Sequence, residues 1–191
     1  MQKVAADLSR MTLDAVAAAV GDQHLPPVEN WHPARAGRID IRIAADGSWW
    51  HEGGRINRPA MVRLFSTILR REPDGSHVLV TPAEKLTIMV DDLPFRAVEV
   101  VSEGEGPRRR LAFRLDTGDL VVAGAANPIR FDSSAQGEPR PWLHVRGPLA
   151  CGLQARIARS TYYELVEMAL ADGAASPCLW SEGACFALET G

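Results

Sequence analysis

At 191 residues the chain can form one large domain or two small ones sharing a core. Its 46% hydrophobic and 24% charged content is that of an ordinary folded protein, and a net charge of −3 argues against direct nucleic-acid binding, which calls for a basic balance. Arginine far outnumbers lysine, present only as Lys3 and Lys85, so guanidinium recognition of phosphate or carboxylate can matter at particular positions only.

In chain order, Val4, Leu8, Met11 and Ala15 mark one face of an amphipathic helix. Asp7 and Asp14 interrupt that stretch, so neither a signal peptide nor a membrane span is expected. The expected location is cytoplasmic, with no membrane partner. Residues 21–37 form a proline-rich loop containing Trp31-His32-Pro33. Residues 39–43 and 48–51 then read as a hairpin turning at Asp46-Gly47.

Asn57-Arg58-Pro59 is a helix start, since proline is tolerated in the first turn. Met61, Leu64, Phe65, Ile68 and Leu69 follow at the spacing of one buried helix face. A hairpin over 77–90 turns at Pro82-Ala83. Alternation then continues through Leu86, Ile88 and Val90, Val98 and Val100, and Leu111, Phe113 and Leu115. Turns fall at 91–94, 103–107 and Thr117-Gly118. Arg108-Arg109-Arg110 beside Glu103 and Glu105 reads as a charged, exposed hairpin.

Residues 123–140 read as a second long loop, ended by Pro139-Arg140-Pro141. A second helical run carries Tyr162, Leu165, Val166, Ala169 and Leu170, with Thr161 to Glu164 as its capping box. A last hairpin over 177–188 turns at Glu182-Gly183. Cys178 and Cys185 could face each other across it, but with Cys151 the count is odd, and buried thiols are expected in a reducing compartment.

Two stretches of this pattern match. Trp49-Trp50-His51, Ile56-Asn57-Arg58, a helix and Val78-Leu79-Val80 are echoed by Trp142-Leu143-His144, Ile157-Ala158-Arg159, a helix and Cys178-Leu179-Trp180. An internal duplication explains the match, with two similar lobes and a ligand-accepting seam between them. The expected fold is α+β: antiparallel sheets with few helices, divided into an N-terminal helix and loop (1–37), a first lobe (38–95) and a second lobe (96–191).

No nucleophile elbow, P-loop, dinucleotide fingerprint or zinc helix is present, and Gly104-Glu105-Gly106 sits in a strand turn. Asp91-Asp92 follows a strand and precedes Leu93-Pro94, which favours a turn over metal or acid–base work. No catalytic residue, metal site or cofactor is therefore assigned, and the protein is read as a non-enzyme. The binding candidates are Trp49, His51, Arg55, Arg58 and Lys85 from the first unit, and Trp142, His144 and Arg159 from the second. Aromatic faces stack on bases and guanidinium groups hold phosphates. A cation at a helix start, as at Arg58 and Arg159, is unfavourable without an accompanying anion. The competing reading makes both tryptophans core residues and both arginines ion-paired.

The block from Asp40 to Phe95 carries Asp46-Gly47-Ser48-Trp49, Ile56-Asn57-Arg58, Leu64-Phe65-Ser66, Ile68-Leu69-Arg70, Thr81-Pro82-Ala83-Glu84-Lys85, Asp91-Asp92 and Pro94-Phe95 in order. With Trp31-His32-Pro33 upstream, it resembles the bacterial family catalogued as domain of unknown function 1285. The resemblance implies a duplicated α+β core with a pleckstrin-homology-like C-terminal lobe, and a cleft between lobes that takes a nucleotide-based ligand in a signalling role. A protein-interaction adaptor without a small ligand is the alternative.

Overall fold

The computed structural model describes residues 25–171 and 178–188. The amphipathic helix expected over 4–15 lies outside these residues. Among the described residues the first sheet contains β1 (Arg35–Ile43), β2 (Trp49–His51), β3 (Gly54–Arg55), β4 (Leu69–Arg71), β5 (His77–Val80) and β6 (Glu84–Val90). The second contains β7 (Phe95–Glu103), β8 (Arg110–Leu115), β9 (Leu120–Val122), β10 (Ile129–Ser133), β11 (Pro139–Arg146) and β12 (Leu153–Ile157). Helix α1 (Pro59–Thr67) precedes β4, and helix α2 (Arg159–Ala171) follows β12. A separate hairpin pairs β13 (Cys178–Ser181) with β14 (Ala184–Ala187).

The strand orders are β3-β2-β1-β6-β5-β4 and β10-β11-β12-β7-β8-β9. Read from its other edge, the second sheet runs β9-β8-β7-β12-β11-β10, so both sheets follow one plan. Each is a pair of antiparallel three-strand meanders joined where its first and last strands pair in parallel, β1 with β6 and β7 with β12. The fold is a duplicated, mostly sheet α+β architecture.

The residue-by-residue match expected from the sequence is nevertheless corrected. Trp49 lies on the second strand of its sheet and Trp142 on the fifth. Helix α1 joins the third strand to the fourth, whereas α2 follows the sixth. A strand, a helix and a hairpin occur in succession at both places, but at different stations of the repeat. The helices dominated the sequence signal because their apolar spacing is the strongest local pattern.

Both sheets contribute to one core. Ile41, Ile43, Trp49, Leu69, Leu79 and Ile88 come from the first, and Phe95, Leu111, Phe113, Leu115, Leu143 and Ile157 from the second. Trp49 is 2% exposed and stacks on Phe65 of α1, with ring centroids 6.3 Å apart. The alternation along β1 and β2 explains this, because Ile43 pairs with Trp49 and turns to the same face. Leu165 and Ala169 seat α2 on the same core.

Several local expectations change. Leu69 belongs to β4 rather than to α1, while Met61 and Leu64 of the expected buried face are exposed. Helix α2 begins at Arg159, which places Thr161 inside its first turn, buried, and not at the cap. The loop expected over 123–140 contains β10, whose Ile129 and Phe131 alternate into the core. The turn expected to be exposed is covered by the last hairpin, which buries Arg109 and pairs Arg110 with Glu182 at 2.6 Å. Cys178 and Cys185 form a disulfide within that hairpin instead of remaining thiols, and Cys151 is free. Among the described residues, no helix is long and apolar enough to cross a membrane.

Candidate functional site

The two sheets are joined by the four residues 91–94, and the two carboxylates there are divided between the lobes. Asp91 takes a bidentate pair from Arg42 of β1, with Nε to Oδ1 at 2.9 Å and Nη2 to Oδ2 at 2.5 Å. Asp92 faces the other way. Arg156 of β12 donates Nε to Oδ2 and Nη2 to Oδ1, each at 2.8 Å, and Arg140 of β11 donates Nη2 to Oδ1 at 2.7 Å. The sheet register brings these arginines together. Trp142 pairs with Arg156, and Arg140 lies two residues before Trp142 on the same face.

A cleft of about 740 Å³ opens beside Asp92. Its walls come from Ala45 in the β1–β2 turn, the 134–141 stretch, Arg156, and the start of α2 with Arg159, Tyr162 and Tyr163. Arg159 Nε donates to the Tyr163 hydroxyl at 3.1 Å, and its guanidinium lies 5.8 Å from the centre of that ring. Three guanidiniums thus share the cleft with the carboxylates of Asp92 and Glu138. The Arg156 hydrogen bonds, with the charges of Arg156 and Arg140, hold Asp92 below the usual carboxylate range despite burial. It is therefore a poor general base.

A second cleft of about 320 Å³ runs between the lobes. The first sheet and α1 supply Gly47, Trp49, Arg55, Asn57 and Arg63, and the second sheet supplies Arg114, Asp116 and Gly118. Arg114 is paired with Glu99 at 2.6 Å. Asp116 accepts from the Arg96 amide at 3.2 Å, and Arg96 reaches the Asp46 carbonyl at 2.8 Å. The Asp116 residue is exposed at the cleft rim, yet the protein packed around its carboxyl desolvates that group more than the Arg96 amide and charge stabilise its anion, which pushes it up to about 6. Gly47 makes this approach possible. Its φ is +83°, and a Cβ there would lie 2.4 Å from the Asp116 carboxylate.

The residues singled out from the sequence are divided among these places. Arg159 lines the larger cleft, and Arg55 and the almost fully buried Trp49 line the smaller. Trp142 is half-buried and donates Nε1 to Asp132 at 2.6 Å, on the sheet face that carries Arg140 and Arg156. His51 and Arg58 are exposed and border neither cleft; Arg58 caps α1 with its carbonyl. His144 is buried under the 147–152 loop, where Gly152 leaves room for its ring, and burial lowers its pKa. Lys85 pairs with Glu72 at 2.8 Å, and Glu72 also holds Arg70, whose Nη1 donates to the carbonyls of Val28 and Trp31. Lys85 thus belongs to the network that fastens the segment around Trp31 to β4.

Arg140, Arg156, Tyr162 and Tyr163 were not among the sequence candidates. A Pro-Arg-Pro tripeptide at the end of a loop and a Tyr-Tyr pair in a helix carry no signal until β11, β12 and α2 converge. Among the described residues, no three His, Cys, Asp or Glu side chains gather to hold a metal.

A model described as the N-terminal domain of a domain of unknown function (DUF1285) matches residues 26–93, and its C-terminal counterpart matches residues 94–188. The crystal structure of a DUF1285 family protein from Silicibacter pomeroyi DSS-3 is 46% identical with a TM-score of 0.79, covering 94% of this chain and 95% of that one. A DUF1285 family protein from Shewanella baltica OS155 is 26% identical with a TM-score of 0.51, covering 69% of this chain and 94% of that one. No curated protein matches the sequence.

Proposed function

The chain belongs to the DUF1285 family, and from that premise we propose that it is a non-enzymatic, cytoplasmic binding protein for a small anionic, nucleotide-like ligand, acting in signal transduction. The observation that supports this reading is the larger cleft, where Arg140, Arg156 and Arg159 share one recess with Tyr162 and Tyr163. About 740 Å³ is within the range that encloses a nucleotide-sized molecule. Guanidinium forks match phosphate oxygens, and the neighbouring rings of Tyr162 and Tyr163 offer aromatic surface for a base. The smaller cleft, with Trp49 and Arg55, is the second place on the seam where part of such a ligand could reach.

The test is thermal unfolding against nucleotides, dinucleotides and cyclic nucleotides, with inorganic phosphates as controls. A ligand at a hundredfold excess over its Kd stabilises the folded state by about 2.7 kcal/mol. The expected shift disappears in Arg159→Ala, a change on the surface that leaves the unliganded melting temperature nearly unmoved. An adaptor role is the second reading, favoured by Leu170 of α2, an apolar side chain that is 67% exposed and borders neither cleft. Pleckstrin-homology-like lobes use such a helix groove to take peptides. A flat response to the whole panel would favour it.

A further inference from the structure

Asp92 occupies the position in the larger cleft where an incoming anion would be held best. Both its oxygens are engaged: Arg156 grips them as a bidentate fork and Arg140 adds a third bond. That is the arrangement in which guanidinium groups hold a carboxylate or phosphate ligand. The Asp92 side chain keeps 17% of its exposure and that of Arg156 keeps 20%, so the pair sits at the cleft wall and not in the core. Asp92 is also one of the four residues joining the sheets, and its neighbour Asp91 is tied back to Arg42 on the first sheet. Resting on the ligand reading above, we infer that Asp92 is a resident anion that the ligand displaces, so that binding unfastens the linker from the second sheet.

The exchange fixes the ligand class and supplies a signal. With Asp92 in place, three guanidiniums face two carboxylates; once it leaves, three face Glu138 alone. A singly charged ligand would only replace what Asp92 already provides. The ligand that wins carries at least two negative charges on neighbouring oxygens, as a diphosphate does, and uses Arg159 as well as the Arg140–Arg156 pair. Asp91 remains fastened to Arg42, so the freed end of the linker is the end facing the second sheet. Occupancy of the cleft is thereby converted into a change at the four-residue connection between β6 and β7.

The experiment is titration of ATP, with inorganic pyrophosphate as the base-free probe, into the wild-type chain, Asp92→Asn and Arg159→Ala by calorimetry. Displacement predicts that Asp92→Asn binds either probe tenfold or more tightly than wild type, because the amide no longer competes as an anion. Binding by wild type that is lost in Arg159→Ala but unchanged or weaker in Asp92→Asn would overturn the displacement and leave the cleft reading standing. Absence of binding by both wild type and Asp92→Asn would overturn the cleft reading and the displacement together. Should Asp92→Asn not fold, amide hydrogen exchange of the wild-type linker decides: faster exchange at residues 91–93 with saturating probe is expected, and slowed or unchanged exchange overturns the inference.

Discussion

The two six-stranded sheets share a strand plan but attach their helices at different stations, and the two seam clefts differ accordingly. In the first sheet α1 bridges the meanders, so its start faces the β8–β9 turn of the second sheet and the smaller cleft forms there. In the second sheet α2 follows the last strand, so its start faces the linker and the larger cleft forms there. The larger cleft places its carboxylate, Asp92, against two guanidiniums. The smaller one places Asp116 where desolvation prevails. Clefts of similar residue composition therefore shift their carboxyls in opposite directions, and the number of arginines in a wall does not measure the charge available to a ligand.

The sharpest break of the comparison lies in the two tryptophans that look equivalent in sequence. Trp49→Ala removes a fully buried ring stacked on Phe65 and should cost about 3–5 kcal/mol in chemical denaturation. Trp142→Ala, which removes a half-buried ring and its bond to Asp132, should cost about 1–2 kcal/mol. Equal losses would mean that the two stations are alike after all. Next in size is Gly47→Ala, which forces a side chain into the left-handed region and against Asp116. About 1–2 kcal/mol is expected from the backbone conformation alone, and a neutral result would detach the β1–β2 turn from the second sheet.

Two smaller effects separate the lobes by pH. Burial, aided by the Arg71 charge, lowers the His77 imidazole on β5 from 6.5 to about 4. Folding favours its neutral form, so stability present above pH 6.5 is lost as pH falls toward 4. His77→Gln should flatten that part of a stability–pH curve. Asp116, raised from 3.8 to about 6, acts oppositely: folding favours its protonated form, and stability falls as pH rises through that interval. Asp116→Asn should be more stable than wild type above pH 6 and match it below pH 4. A pH-independent difference between the two proteins would assign the cost to packing and not to charge.

Much of the architecture was legible in the order of residues. Alternation located β1, β2 and the strands from β5 to β8, Asn57-Arg58-Pro59 located the start of α1, and repetition indicated two lobes, although the stretches it matched lie at different stations of the two sheets. These signals are local: side-chain period, backbone restriction at proline and glycine, and the apolar stripe of a helix all act within a few residues. Strand β10 escaped because five residues flanked by proline and serine carry too short an alternation to stand out.

The candidate site was less legible. The sequence supplied Arg159, Arg55 and Trp49, but it grouped them by position in a repeat, and only the pairing of β7 with β12 and the packing of α1 and α2 decided which cleft each one borders. Asp92 shows the limit most clearly. The sequence assigns it only to a turn, and its role arises from Arg140 and Arg156, 48 and 64 positions further along the chain. Contacts at such separations depend on register and on how the sheets close together, which no local pattern encodes. The chain thus determined by itself that it would form two sheet-rich lobes around a common core, while tertiary structure alone decided which of its charges meet and which face open space.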